Sequence, residues 1–211
     1  MSVLVIETAT RACSVALLKD GAVVASFTEN VGRGHAERLL PLIAALPGGG
    51  RAAAILVDCG PGSFTGIRVG VAAARGLGLG WGVPVTGYSS LALLAAGHFA
   101  DCRGSDLSVT VAISAGHGQL FVQSFEGNPV RSVTPLRSIT PGEAAIVAGS
   151  VIVGDAARAI VDDRGSGEAF ERTPDAGNAR LLPVVLASLP PTPIYGRDAD
   201  AKPMVPRAPA G

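Results

Sequence analysis

Short apolar runs alternate along the chain with glycine-containing turns and with longer stretches of helical periodicity. Apolar runs between turns are typical of buried strands, whereas apolar positions three and four residues apart are typical of helices. In the first half this pattern predicts strands at Val3–Ile6, Ala12–Leu18, Ala22–Phe27, Ala54–Val57 and Val83–Thr86. It predicts helices at His35–Leu46, from the loop after residue 62 to about Gly80, and from Ser89 or Ser90 to about Ala100.

The second half repeats this order of elements. The predicted strands are Leu107–Ile113, Gln119–Phe125, a short piece at Val130–Val133, Val151–Val153 and Glu168–Arg172. The predicted helices are Pro141–Ala148 with Thr140 as cap, a short helix after Gly154, and a helix from Asn178 to Ser188. No sequence identity links the halves, so the repeat is one of pattern. It predicts an α/β fold of two tandem ribonuclease H-like units.

The expected boundary between these units lies near residues 100–106. We therefore predict a larger N-terminal lobe over residues 1–104 and a smaller C-terminal lobe over residues 105–189. The proline-rich tail, residues 190–211, is expected to pack back in part on the first lobe.

Composition narrows the possible functions. The formal net charge is zero, and the only lysines are Lys19 and Lys202. Proteins that grip nucleic acid by its phosphates usually show a basic patch, so strong binding of RNA by this chain alone is not expected. The three cysteines form no CxxC pair, which suits a reducing compartment. No leader pattern and no long uncharged apolar stretch occur, so we expect a cytoplasmic protein that does not enter a membrane.

The most informative segment runs from Gly60 to Gly80. A Gly-Pro-Gly turn leads into a helix with a small residue at every fourth position, at Gly66, Gly70, Ala74 and Gly78. Each interior glycine costs about 0.8–1 kcal/mol of helix propensity, so this flat face needs a packing reason. The loop could hold a phosphate at the helix start. Its spacing, however, is neither GxGxxG nor that of a Walker A loop, which favours a structural turn.

The segment Gly60–Gly70 strongly resembles the TsaB/YeaZ family. Glu7–Leu17, His35–Pro41 and Pro193–Arg197 resemble the same family, in the same order along the chain. The resemblance implies the actin/Hsp70/sugar-kinase architecture. It also implies a non-catalytic subunit of the bacterial machinery that makes N6-threonylcarbamoyladenosine at position 37 of tRNA. The implied partners are a TsaD-type catalytic subunit, a TsaE-type ATPase and, without TsaD, a second copy of the chain; tRNA would be contacted only indirectly.

The resemblance further implies that the two outer helices of the first lobe pair with their counterparts in TsaD. The predicted interface comprises His35, Leu39, Leu42, Ile43, Leu46, Gly66, Val69, Gly70, Ala73, Ala74 and Leu77. The predicted loop motif beside it comprises Gly60, Pro61, Gly62, Ser63, Phe64 and Thr65. The alternative is that these helices pack only on their own sheet.

Nucleotide binding has weaker support. In the implied architecture one hairpin of each lobe grips the phosphates, which makes Thr8, Thr10 and Ser14 the candidate residues of the first lobe. The family usually has Asp at the position of Glu7, and acids and an Arg where this chain has Ser114, Gly116 and Gln119. These departures favour turn and hairpin hydrogen bonding for the three candidates. We expect no bound cofactor, with ATP and magnesium belonging to the partner subunits.

Metal binding and independent catalysis are not expected either. His35, His98 and His117 are scattered, and the metal-binding HxxxH motif of TsaD-type relatives falls near Gly87 and Leu91, neither of which offers a ligand side chain. Two alternatives remain open: an ATP-dependent phosphotransferase of the sugar-kinase type, and a glycoprotease-like peptidase or chaperone module. Against the peptidase, the sequence around Ser63 is not a GxSxG nucleophile elbow.

Overall fold

The computed structural model describes residues 1–102 and 108–196. Its first sheet has the order β3-β2-β1-β4-β5. The strands are β1 (Ser2–Glu7), β2 (Ala12–Lys19), β3 (Ala22–Asn30), β4 (Ala54–Asp58) and β5 (Val85–Tyr88). The first three are antiparallel, and β4 and β5 run parallel to β1. Asp20 and Gly21 join β2 to β3 with positive φ angles of 50° and 80°, which is the backbone that a tight hairpin turn requires.

The second sheet repeats this topology. Its strands are β6 (Ser108–Gly116), β7 (Gln119–Glu126), β8 (Arg131–Ser132), β9 (Arg137–Ile139), β10 (Val151–Val153) and β11 (Glu168–Phe170). They are ordered β11-β10-β6-β7-β8, with β9 also paired to β7. If β9 is set aside, both sheets place their third, second, first, fourth and fifth strands side by side in that order. The pattern repeat predicted from the sequence is a repeat of topology.

In the described part of the chain, five α-helices complete a layered structure: α1 (His35–Ala45), α2 (Phe64–Trp81), α3 (Ser90–Asp101), α4 (Pro141–Val147) and α5 (Ala157–Arg164). Helices α1 and α2 share a hydrophobic cluster with one face of the first sheet. Helix α3 lies between the two sheets, and every residue from Ser90 to His98 is buried. Helices α4 and α5 share a third cluster with the second sheet. Within the two described ranges, no helix is long and apolar enough to cross a membrane.

The sequence prediction was wrong near the C-terminus. Instead of one helix from Asn178 to Ser188, two 3₁₀ helices span Ala176–Leu181 and Val184–Ala187. Pro183 separates them, because proline has no backbone N–H to donate and its ring clashes with the preceding helical turn. Asp175, rather than Asn178, caps the first of them by accepting a hydrogen bond from the Gly177 N–H. Strand β9 was also not predicted.

The chain returns to the first sheet before the described residues end. Gly87 and Leu189 exchange two backbone hydrogen bonds, and the Ile194 N–H donates to the Cys59 carbonyl at 2.7 Å. Part of the predicted lobe boundary falls on residues 103–107, which lie outside the described residues. The end of the predicted tail, residues 197–211, lies outside them as well. The division into lobes 1–104 and 105–189 stays a prediction, because α3 contributes to a core shared by both sheets.

Candidate functional site

The glycine-rich face of α2 packs against the turn between β1 and β2. A Cβ atom added at Gly66 would overlap the Thr8 carbonyl oxygen, and one at Gly70 would overlap the Thr8 hydroxyl. At Gly62 it would overlap the Ala9 carbonyl oxygen. The sequence predicted that another backbone approaches this face closely. That backbone is the chain's own β1–β2 turn.

Hydrogen bonds stabilise this contact between α2 and the β1–β2 turn. The Ser63 N–H donates to the Ala9 carbonyl at 2.6 Å, and the Thr8 hydroxyl donates to the Gly66 carbonyl at 2.8 Å. The Ser63 hydroxyl caps α2 by accepting from the Gly66 N–H at 3.2 Å, which satisfies one of the free donors of the first helical turn. The loop motif is thus a structural element between a strand and a helix.

Two acids lie beneath this loop, at the carboxyl ends of neighbouring parallel strands. Glu7 ends β1 and Asp58 ends β4, and both are fully buried. Burial raises the pKa of the Glu7 carboxyl well above its usual range, and the nearby charge of Asp58 and a hydrogen bond with that residue raise it further. Burial also raises the pKa of Asp58, against the lowering effect of its hydrogen bonds. Sequence reasoning did not identify Asp58 as a functional candidate, because an acid that follows an apolar run and precedes a turn is common.

The predicted interface residues lie mostly inside the chain. Those on α1, together with Leu46, and the small residues of α2 are buried against the first sheet: His35, Leu39, Leu42, Ile43, Leu46, Gly66, Gly70 and Ala74. Val69, Ala73 and Leu77 are half-buried against the same cluster. The buried residues therefore contact their own sheet, and their part in pairing with a partner stays a prediction. The apolar arcs of both helices are used to cover their own sheet.

A different set of residues forms the outer face of these helices. We call it the α1–α2 outer face and define it by exposed residues of both helices: Ala36, Leu40 and Ala44 of α1, and Ala72, Arg75 and Leu79 of α2. Leu40 is 53% exposed and Leu79 is 87% exposed. Large exposed apolar side chains on adjacent helices are typical of a surface that a partner covers. Whether a partner binds here stays a prediction.

The loop motif and the C-terminal segment meet in an exposed aromatic cluster. The Arg68 guanidinium lies over the Phe64 ring at 3.6 Å from its centroid, and Arg68 Nε donates to the Tyr195 hydroxyl at 3.0 Å. The two rings are 5.4 Å apart between centroids. Phe64 and Tyr195 remain 55% and 48% exposed. Sequence reasoning missed this cluster because Tyr195 lies 127 residues after Arg68 in the sequence. The signal that could have revealed it is that both segments resemble the same family.

The three nucleotide candidates of the first hairpin are engaged within the chain. Thr8 contacts α2 as described, and the Thr10 hydroxyl accepts from the Ala12 N–H at 3.3 Å. Ser14 Oγ lies 2.8 Å from the Thr28 hydroxyl and accepts from the Ala176 N–H at 3.0 Å. The bonds of Thr10 with Ala12 and of Ser14 with Thr28 are turn and hairpin interactions of the kind that the sequence favoured, whereas Thr8 and Ser14 also bind Gly66 and Ala176, far along the chain.

The hairpin of the second sheet, β6–β7, forms hydrogen bonds with residues of adjacent segments. The Ser114 N–H donates to an Asp155 carboxylate oxygen at 2.8 Å, and the Ser138 hydroxyl donates to Gln119 Oε1 at 2.7 Å. His117 lies at the turn with a positive φ of 51°. Within residues 1–102 and 108–196, no group of three or more His, Cys, Asp or Glu side chains could hold a metal ion.

Comparison with known proteins places this geometry in a family. A family model described as "TsaD: tRNA N6-adenosine threonylcarbamoyltransferase" matches residues 26–152, which is more than half of the chain. The tRNA threonylcarbamoyladenosine biosynthesis protein TsaB of Escherichia coli is 39% identical over 131 residues. That match covers 60% of this chain and 55% of the E. coli protein, so the chain spans little more than half the length of this relative. An uncharacterised Mycobacterium tuberculosis protein is 31% identical, covering 71% of this chain and 72% of that protein.

A solved structure extends the likeness to almost the whole chain. YeaZ from Pseudomonas aeruginosa superposes with a TM-score of 0.76 and 26% identity, covering 92% of this chain and 99% of YeaZ. The chain belongs to the TsaB/YeaZ family. Family membership and the repeated strand order together confirm the predicted actin/Hsp70/sugar-kinase architecture.

In this TsaB/YeaZ chain the cysteines next to the buried acids are expected to be unreactive. Burial, with a contribution from the Glu29 charge, raises the pKa of the Cys13 thiol to about 11. Burial and the Asp58 charge raise the pKa of Cys59 to about 12. Because the thiolate is the reactive form, iodoacetamide at pH 7.5 should leave both unlabelled in the native protein, as read by peptide mass spectrometry. Labelling in guanidinium is the control, and rapid native labelling of either cysteine would contradict the structure.

Proposed function

We propose that this chain is the non-catalytic subunit of the machinery that forms N6-threonylcarbamoyladenosine in tRNA. The observation that carries the proposal is the α1–α2 outer face, which leaves Leu40 and Leu79 exposed on two adjacent helices of a TsaB/YeaZ chain. A TsaD-type catalytic subunit would cover this face. Binding that favours the active arrangement of the catalytic subunit shifts its population toward that arrangement.

The chain's own chemistry supports a role as partner rather than catalyst. Its two strand-end acids are buried beneath the loop, and both cysteines beside them hold their protons at neutral pH. Ser63 is exposed, but its hydroxyl is committed to capping α2. None of these groups is both accessible and activated for nucleophilic or acid–base chemistry.

Other molecules would supply the nucleotide, the metal ion and the contact with tRNA. ATP and magnesium would be bound by the TsaD-type and TsaE-type subunits, and tRNA would contact this chain only indirectly. Without a TsaD-type subunit, a second copy of the chain would cover the outer face. The work would take place in the cytoplasm, where tRNA is modified.

Reconstitution tests this proposal. The chain is purified with the TsaD-type and TsaE-type subunits of the same organism, and modification of tRNA is measured with and without it. We expect a stable complex with the TsaD-type subunit, modification only when the chain is present, and none from the chain alone. Full modification without the chain, or turnover by the chain alone, would refute the proposal. Calorimetry with magnesium and ATP on the isolated chain should show no micromolar binding; if it does, the phosphotransferase alternative is revived.

A further inference from the structure

Glu7 and Asp58 follow the paired residues Ile6 and Val57 at the ends of the parallel strands β1 and β4, so these two fully buried acids are neighbours. Both carboxyl oxygens of Glu7 have donors from the protein. The Ala9 N–H donates to Glu7 Oε1 at 2.9 Å, and the Tyr88 hydroxyl lies 3.3 Å from Glu7 Oε2. That hydroxyl also lies 3.1 Å from the Ile6 carbonyl, and its single proton serves one acceptor fully.

Asp58 is held by donors on the other side of the pair. The Gly60 N–H donates to Asp58 Oδ1 at 2.6 Å, and the Ser90 hydroxyl donates to Asp58 Oδ2 at 2.7 Å. The Ser90 hydroxyl is also 2.9 Å from the Pro61 carbonyl. Asp58 thus contacts the loop directly through Gly60 and indirectly through Ser90. Glu7 contacts the β1–β2 turn through Ala9.

Two ionised carboxylates that are neighbours in a buried site repel each other, and neither can donate a hydrogen bond; a proton on one of them removes the repulsion and supplies a donor. We propose that Glu7 and Asp58 share one proton, and that this proton clamps the loop Gly60–Ser63 onto the β1–β2 turn. Its loss would place two negative charges in contact in a buried site, where only separation or entry of water relieves the repulsion. The loop would then leave the turn.

The carboxyl pair is linked to both ends of the loop. Glu7 accepts from the Ala9 N–H, and the Ala9 carbonyl accepts from the Ser63 N–H at the C-terminal end of the loop. Asp58 accepts from the Gly60 N–H at its N-terminal end. Both ends of the loop therefore depend on the same carboxyl pair. Because Ser63 caps α2, release of the loop would also free the first turn of that helix.

Three titratable groups in the described part of the chain face the pair. Tyr88 faces it from β5, Cys59 follows Asp58 in the chain, and Cys13 faces Glu7 from β2. The pKa of each is raised, mainly by burial and further by the charge of one or both acids, so all three are neutral at physiological pH. Two cations act on the neighbouring thiols: Arg75 of α2 lowers the pKa of Cys59, and Arg38 of α1 lowers the pKa of Cys13, in each case against the larger effect of burial. Ser90 of α3 faces the pair with a neutral hydroxyl, which donates to Asp58.

Glu7→Gln is the matched variant that tests the clamp. Its amide can donate to Asp58 while its carbonyl accepts from Ala9, so it keeps the bond without a titrating proton. In infrared difference spectra, the wild type should show the carbonyl band of a protonated carboxylic acid near neutral pH, and the variant should lack it. Hydrogen exchange of peptides covering the loop, corrected for the intrinsic effect of pH, should accelerate at alkaline pH in the wild type only.

The pH dependence of unfolding gives a second readout. The folded state keeps a proton that unfolded glutamate loses above a pKa of about 4.3. Raising the pH above this value therefore favours the unfolded state. The unfolding equilibrium constant of the wild type, relative to that of Glu7→Gln, should rise about tenfold per pH unit until the pair itself ionises.

The outcomes of these measurements support or overturn the shared proton. A protonated-acid band in the wild type that disappears in Glu7→Gln, with loop exchange that responds to pH only in the wild type, supports the clamp. Absence of the band in the wild type, or the same unfolding slope in both proteins, overturns it. If Glu7→Gln does not fold, Asp58→Asn replaces it, because its amide can donate to Glu7 while its carbonyl accepts from Gly60. The infrared measurement on the wild type needs no variant, and none of these readouts depends on the proposed function.

Discussion

Replacing Gly66 by alanine is expected to lower the free energy of unfolding by about 3 kcal/mol or more, at the upper end of overpacking effects. The new Cβ atom would overlap the Thr8 carbonyl oxygen. That oxygen belongs to the backbone of a turn whose neighbouring residues are hydrogen-bonded, so it cannot rotate away as a side chain could. Relief requires α2 to move off β1, which exposes the cluster around Ile67. Urea unfolding followed by circular dichroism measures the loss.

The matched control lies on the same helix. Gly76 is exposed, and nothing lies within 4 Å of an added Cβ atom. Gly76→Ala should therefore raise the free energy of unfolding by about 0.5–1 kcal/mol, which is the difference in helix propensity alone. Gly70→Ala should fall between the two, because its Cβ meets the end of the Thr8 side chain rather than backbone. Equal effects at Gly66 and Gly76 would show that the close approach to the turn is not real.

This comparison shows what the sequence could reveal about α2. The spacing of Gly66, Gly70, Ala74 and Gly78 correctly predicted a flat face and a close neighbour. It could not identify the neighbour, because helical spacing describes one surface and says nothing of the surface opposite. The resemblance to a partner-binding family led to the prediction that the neighbour was another chain. Bulky substitutions at Gly70 or Ala74 would consequently report on folding rather than on partner binding.

Other parts of the fold were predictable to different degrees. Apart from β9, the strands of both sheets follow from apolar runs between turns, and their repeated order predicted the architecture. The final helix was predicted from an apolar stretch around Pro183, and there the local effect of proline overrides the apolar pattern. The acid pair could not be foreseen, because Glu7 and Asp58 are distant in sequence. They meet only because β1 and β4 are parallel neighbours that end at the same sheet edge.

Charge introduced on the α1–α2 outer face is expected to abolish partner binding without unfolding the chain. Leu40→Glu and Leu79→Glu change side chains that are already exposed, so the free energy of unfolding should change by no more than about 0.5 kcal/mol. In a complex each glutamate would be buried without a partner. We expect each variant to bind the TsaD-type subunit about 30-fold more weakly or worse, the effect of losing a central interface residue of about 2 kcal/mol. Biosensor titration measures the affinity, and the tRNA modification assay measures its consequence.

The control is an apolar residue of the second sheet's outer layer that is about as exposed as Leu79. Ile146 of α4 is 84% exposed and belongs to the layer outside the second sheet. Ile146→Glu should bind the TsaD-type subunit like the wild type. The reverse result, with Ile146→Glu impaired and both α1–α2 variants unaffected, would move the partner surface to the second sheet. Since both outer layers are a helix pair on one sheet of the same topology, only this reciprocal test distinguishes between the two halves of the repeat as the binding side.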